Sequence, residues 1–147
     1  MALKQIVLHV AGSSRGNPGP AALGVVIADA EGGVLHEVAE PLGSATANVA
    51  TYAAWARGLQ LAVDFGPEEV IVHSDSELVY LQLKGEYKAK QPQLRRLRDQ
   101  VRELFQQFDR VRVRRVPRAE NRPAHQLARQ ALAGEAEPEG RTAEALE

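Results

Sequence analysis

Glu69-Val70-Ile71-Val72-His73-Ser74-Asp75-Ser76-Glu77-Leu78-Val79-Tyr80-Leu81-Gln82-Leu83 passes from an apolar, β-branched run into a helical pattern, with one aspartate at the join. The first part predicts a strand over 69–74 and the second a short helix over 76–83 that ends near Gly85. A strand that feeds directly into a helix is the unit of an α/β fold, so the neighbouring segments must supply its sheet partners.

On the N-terminal side, Gln5-Ile6-Val7-Leu8-His9-Val10 reads as a short, mostly apolar strand. A loop rich in Gly, Ser, Asn and Pro follows over 12–20. Two more strands are expected over 22–29 and 34–40, joined by a tight turn at Glu31-Gly32-Gly33. A long helical pattern then runs over 46–65 and stops at Gly66-Pro67.

On the C-terminal side, residues 92–108 are amphipathic, with Leu94, Leu97, Val101, Leu104, Phe105 and Phe108 on one side. Arg110-Val111-Arg112-Val113-Arg114 alternates with period two and predicts a half-buried strand at a sheet edge. A last helix is expected over 121–133. The order β-β-β-α-β-α-α-β-α implies one α/β domain with a five-stranded mixed sheet and helices on its faces. The domain is assigned to 1–133, and the Glu-, Gly- and Pro-rich residues 134–147 to a disordered acidic tail.

Composition bounds the function without choosing it. The 147 residues suffice for one domain, and 44% apolar with 25% charged residues is ordinary for a globular chain. There is no cysteine, hence no disulfide and no thiolate metal site. No apolar run reaches about 18 residues and no signal-like segment opens the chain, so a soluble, cytoplasmic protein with no membrane partner is expected. The net charge of −1 hides segregation. Residues 1–74 carry 3 Lys/Arg against 7 Asp/Glu, residues 75–133 carry 14 against 7, and the tail carries 1 against 5. The basic block is suited to neutralising phosphates, although a solvated arginine face gives the same count.

Four segments then carry a resemblance. They are Gly12-Ser13-Ser14-Arg15-Gly16-Asn17-Pro18-Gly19-Pro20, Asn48-Val49-Ala50-Thr51-Tyr52-Ala53-Ala54, Ser74-Asp75-Ser76-Glu77-Leu78-Val79, and Val116-Pro117-Arg118-Ala119-Glu120-Asn121-Arg122-Pro123-Ala124-His125-Gln126-Leu127-Ala128. In order and spacing the chain resembles a type 1 ribonuclease H domain, in the compact form without an extra basic helix-loop. The resemblance implies a ribonuclease H-like fold, RNA/DNA hybrid as partner and Mg²⁺ as cofactor.

It also implies four metal-binding carboxylates, and here the chain departs. The four positions read Ala11, Thr51, Asp75 and His125, so only Asp75 remains an acid. Two Mg²⁺ about 4 Å apart activate water and stabilise the leaving oxygen in such enzymes, and hard ions held so close together need several carboxylates. Alanine offers no ligand atom, threonine one neutral hydroxyl, and histidine a nitrogen poorly suited to Mg²⁺. No Mg²⁺ site is therefore expected, and ordinary hybrid cleavage should be absent or very slow. A rebuilt Mn²⁺ or Zn²⁺ site from His9, His73, Asp75 and His125 is an alternative, because period-two alternation puts His9 in line with Ala11 and His73 in line with Asp75. Packed strand histidines are the plainer reading.

Binding residues are better preserved. The 12–20 loop is no phosphate-binding P-loop, since no Gly-Lys-Ser/Thr follows and a strand comes next. The resemblance makes Gly12, Ser13, Ser14, Arg15 and Gly16 a backbone clamp, with Asn17 and Asn48 reaching 2′-hydroxyls in the hybrid's minor groove. Lys84, Lys88 and Lys90 fall where the family meets the DNA-strand phosphates. Trp55 reads as core, His36 as surface. Three functions stay open: a non-catalytic module binding hybrid or structured RNA, a nuclease with altered metal dependence, and a protein-interaction scaffold that keeps only the fold.

Overall fold

In a computed structural model that describes residues 4–136, five strands form one sheet in the order β3-β2-β1-β4-β5. The elements are β1 (Gln5–Ser14), β2 (Gly19–Asp29), β3 (Val34–Ala45), α1 (Ala47–Val63), β4 (Glu69–Ser74), α2 (Glu77–Lys84), α3 (Pro92–Phe105), β5 (Arg110–Arg115) and α4 (Arg122–Ala136). A 3₁₀ turn, Arg118–Asn121, leads into α4. The first three strands are antiparallel neighbours, and β4 and β5 join β1 in parallel. This is the mixed sheet expected from the element order, with β5 at its edge.

The order of layers follows from side-chain alternation. Ile6, Leu8 and Val10 of β1 are fully buried and pack with Val25, Trp55, Leu59, Val70 and Val72 beneath α1 and α3. Each such aliphatic side chain contributes about 1.5–3 kcal/mol when withdrawn from water. Trp55 is fully buried and meets Phe105 edge-on, with ring centroids 6.4 Å apart, which confirms its place in the core. The alternate residues of β1 and β2 face α4 on the other side of the sheet. A Cβ on Gly24 would overlap the Ala124 carbonyl oxygen and come within 2.8 Å of the Ala128 nitrogen, so strand and helix touch backbone to backbone there.

Element ends differ from expectation where local chemistry was ambiguous. β1 continues through Gly12 to Ser14 because β2 pairs with it as far as Ser14↔Ala21. Pairing likewise carries β3 past Pro41 and Gly43 to Ala45, with Gly43 at φ +76°. Thr46 and Ser76, expected inside helices, instead cap α1 and α2 by accepting from the Val49 and Val79 N–H groups. Gly85, at φ 84°, ends α2 in the left-handed conformation that a residue with a side chain resists. α3 stops at Phe105, and Phe108 packs from the turn beyond it. α4 runs through Gly134 to Ala136, three residues past its expected end. The remainder of the acidic tail, residues 137–147, lies outside the described residues.

Candidate functional site

The four positions that the resemblance assigns to metal binding converge at the C-terminal ends of β1 and β4. Ala11 is 2% exposed near the end of β1. The next residue, Gly12, lies against α1 so closely that a Cβ would overlap Thr51 N and Ala50 C. This contact sets Thr51 beside the strand end. Its Oγ1 donates to the Ala47 carbonyl at 3.0 Å, an internal helix bond that leaves no proton for other partners.

Asp75 sits just past β4, with one carboxylate oxygen engaged twice. Its Oδ1 accepts from Asn121 Nδ2 at 2.7 Å and from His125 Nε2 at 2.8 Å, while Arg118 Nη1 stands 3.8 Å from Oδ2. Burial pushes the carboxyl upward, but the hydrogen bonds from Asn121 and His125 outweigh it and hold Asp75 below the usual carboxylate range. An ionised Asp75 only accepts, which assigns a proton to His125 Nε2. Asn121 is completely buried, and its amide also donates to the Val10 carbonyl at 2.8 Å. One side chain thus ties β1, the end of β4 and the start of α4 together.

Asn121→Ala removes both of those donors from a buried setting and should destabilise the fold by roughly 3 kcal/mol. Chemical denaturation would measure it as a lower midpoint at unchanged slope. An unaltered midpoint would mean that solvent replaces the amide.

His9 and His73 form a separate pair. They are register partners in the parallel β1/β4 ladder, and their rings meet edge-on at 4.9 Å. Among the described residues no three His, Asp or Glu side chains are disposed to hold a metal ion. The residues of the alternative Mn²⁺ or Zn²⁺ set lie in two pairs, His9 with His73 and His125 with Asp75. The physical reason is that Asp75 lies beyond the last strand residue, Ser74, where alternation no longer governs, and is committed to His125 and Asn121. Nor does the set fit a pair of Mg²⁺: it supplies one carboxylate, whose Oδ1 already accepts two hydrogen bonds, and no other anionic oxygen.

Burial lowers His73 to about 4, with further depression from His9 and Arg114, and burial also lowers His9. Both rings are neutral in the folded protein at pH 7. Because their folded values lie under the ordinary 6.5, the stability they permit is complete above pH 6.5 and falls as the pH drops from there toward about 4. Thermal melts across that window should show a declining Tm, and His73→Gln should flatten the decline. An equally steep decline in His73→Gln would clear the pair of responsibility.

The expected binding residues lie in the 12–20 segment, at the start of α1, and at and beyond the end of α2. Ser14 Oγ lies 2.7 Å from both the Gly16 and Ala45 carbonyl oxygens, and Arg15 N donates to Pro20 O at 2.8 Å. These bonds fix the loop that carries Ser13 and leave Arg15, Gly16 and Asn17 exposed. Asn48 is half-buried in the first turn of α1. Lys84, Lys88 and Lys90 are exposed around a segment pinned from within: Ala89 is 4% exposed, and Arg95 donates to the Ala89 and Lys90 carbonyls. Lys84 Nζ lies 5.4 Å from the Tyr80 ring centroid. Two features escaped sequence reading: Asn121 as the central tie, and an arginine stripe of Arg118, Arg122 and Arg129 beside His125. The spacing of 122, 125 and 129 was visible as one helix face; its position next to Asp75 was not.

Comparison with known proteins gives the class. A family model described as Reverse transcriptase-like matches residues 9–131. The chain belongs to the ribonuclease H-like family. It is 45% identical over 121 residues to Ribonuclease HI of Halobacterium salinarum, covering 82% of this chain and 61% of that protein. The crystal structure of ribonuclease H1 from that archaeon superposes with a TM-score of 0.86 at 42% identity, over 88% of this chain and 98% of the other. A bifunctional protein of Mycobacterium tuberculosis is 43% identical over 129 residues, 87% of this chain and 35% of its own length. The chain thus spans about three-fifths and one-third of these two curated relatives. A ribonuclease H1 isolated from compost by a metagenomic approach, solved in complex with RNA/DNA hybrid, is 35% identical with a TM-score of 0.85, over 90% of this chain and 99% of that one. Among the described residues no helix is long and apolar enough to cross a membrane.

Proposed function

We propose that this chain is a ribonuclease H-like nucleic-acid-binding module that takes RNA/DNA hybrid or structured RNA and does not cleave it by the ordinary Mg²⁺-dependent route. One observation carries the reading: the sole acid at the four metal-binding positions, Asp75, spends its charge on Asn121 and His125, whereas the loop bearing Arg15 and Asn17 keeps a fixed, exposed shape. Ala11 and Thr51 add nothing a metal would choose. Exposed Asn17 and half-buried Asn48 supply amides for 2′-hydroxyls, while Arg15, Lys84, Lys88 and Lys90 supply cations for phosphates. The likeness to a relative solved on RNA/DNA hybrid supports the same partner.

The test is single-turnover incubation with a labelled hybrid in Mg²⁺, Mn²⁺, Zn²⁺ or EDTA, with bound and cleaved fractions read from the same samples. Binding without cleavage is expected in all four, with affinity falling as salt rises. Asn17→Ala should weaken it, and Lys88→Glu should also reduce the salt slope by about 1. Metal-dependent cleavage that disappears in Asp75→Asn would overturn the proposal in favour of an altered nuclease. Affinity no tighter than that of a generic polycation would favour a scaffold.

A further inference from the structure

The stripe beside the depleted centre is itself built like a ligand site. Arg118, Ala119, Arg122, His125 and Arg129 line a cavity of about 220 Å³. Helical spacing places residues 122, 125 and 129 on one face of α4, and the 3₁₀ turn brings Arg118 to the same mouth. Most other arginines of the basic half are engaged. Arg95 and Arg102 donate to main-chain carbonyls, Arg98 pairs with Asp99, Arg110 and Arg112 with Glu69, and Arg115 with Glu77. Arg122 and Arg129, with no carboxylate in ion-pair reach among the described residues, converge instead on the cavity. The nearest acid is Asp75, 3.8 Å from Arg118 and already bonded to His125 and Asn121. Three guanidiniums therefore face one satisfied carboxylate, at a place where the family pattern gathers acids.

We infer that this cavity binds a phosphate group of the nucleic-acid backbone directly, through Arg118, Arg122 and Arg129, with no metal between protein and phosphate. Guanidinium forks match phosphate oxygens in pairs, and their charge is permanent. The sign of the site has been inverted: a centre that would hold phosphate through cations held by acids now presents the cations as side chains. The inference rests on the proposed nucleic-acid-binding function and specifies one contact within it.

Hybrid binding measured by fluorescence anisotropy in EDTA over a salt series tests it, with Arg122→Gln/Arg129→Gln as the variant. Both side chains are exposed and make no hydrogen bond among the described residues, so an unchanged Tm is the check that the variant is folded. Affinity should fall by roughly 10-fold or more, and the salt slope should shrink by about 1–2, the signature of lost phosphate contacts. A hybrid carrying a single neutral methylphosphonate, moved along each strand in turn, should reveal one position that weakens the unaltered chain and not the variant. Equal affinity and equal slope for both proteins would overturn the inference. If the unaltered chain binds no hybrid, the proposed function fails separately. Titration with inorganic phosphate, followed by the arginine Nε–H resonances, then decides the cavity alone: shifts at Arg122 and Arg129 sustain it, and their absence ends it.

Discussion

A chain carrying Ala11→Asp, Thr51→Glu and His125→Asp together is expected to cleave the RNA strand of a hybrid in Mg²⁺ roughly a thousand-fold or more faster than the unaltered chain. That gain asks for about 4 kcal/mol of transition-state stabilisation, well within what two metal ions supply. The frame for it is present. Gly12 already holds β1 against Thr51, and Asn121 already holds β1 against Asp75. His125→Asp also removes one of the two hydrogen bonds on Asp75 Oδ1, leaving that from Asn121, and sets two carboxylates side by side. Four clustered acids repel one another when no cation is bound, so the triple variant should melt at lower temperature in EDTA and recover in Mg²⁺. The unaltered chain should show no such recovery. A variant that Mg²⁺ stabilises but that cleaves nothing would mean that drift has reached beyond the four positions. One that Mg²⁺ neither stabilises nor activates would refute the placement of the site itself.

Gly24→Ala should be a severely damaging methyl addition among the described residues. The added Cβ would overlap the Ala124 carbonyl oxygen and crowd the Ala128 nitrogen, and neither backbone atom moves without shifting α4 off the sheet. A loss of roughly 3 kcal/mol or more is expected, a large share of the 5–15 kcal/mol that holds a typical domain together. Because α4 carries His125, Arg122 and Arg129, the same change should weaken hybrid binding in whatever fraction stays folded. Gly134→Ala is the matched control on the same helix. No atom lies within 4 Å of a Cβ placed there, and alanine should add up to about 1 kcal/mol by restricting the unfolded chain. Denaturant midpoints for the two variants should move in opposite directions. A Gly24→Ala midpoint within error of the unaltered protein would show that the helix re-seats at little cost.

Much of this molecule was legible before any coordinates. Val70-Ile71-Val72 and the Arg-Val alternation at 110–114 announced β4 and β5 because strand burial is written residue by residue. Element ends were less legible, since Ser14, Ala45, Thr46 and Ser76 take their state from a pairing partner or a capping bond, not from their own propensity. Within the site, the residue types at the four positions that the resemblance assigns could be read directly, as identity is a property of the chain. The alignment of His73 with Asp75 misled, because alternation holds only inside a strand and β4 ends one residue short.

Periodicity along the chain was enough to specify an α/β domain with a mixed sheet, and the motif resemblance named its ribonuclease H-like class, for both are read from local sequence. Which partners Asp75 chose, that Asn121 joins three elements, and that Arg118, Arg122 and Arg129 meet at one cavity were decided by folding. Those contacts link residues up to 111 positions apart, and no local rule encodes a distance between side chains that only the packing of α4 across the sheet brings together.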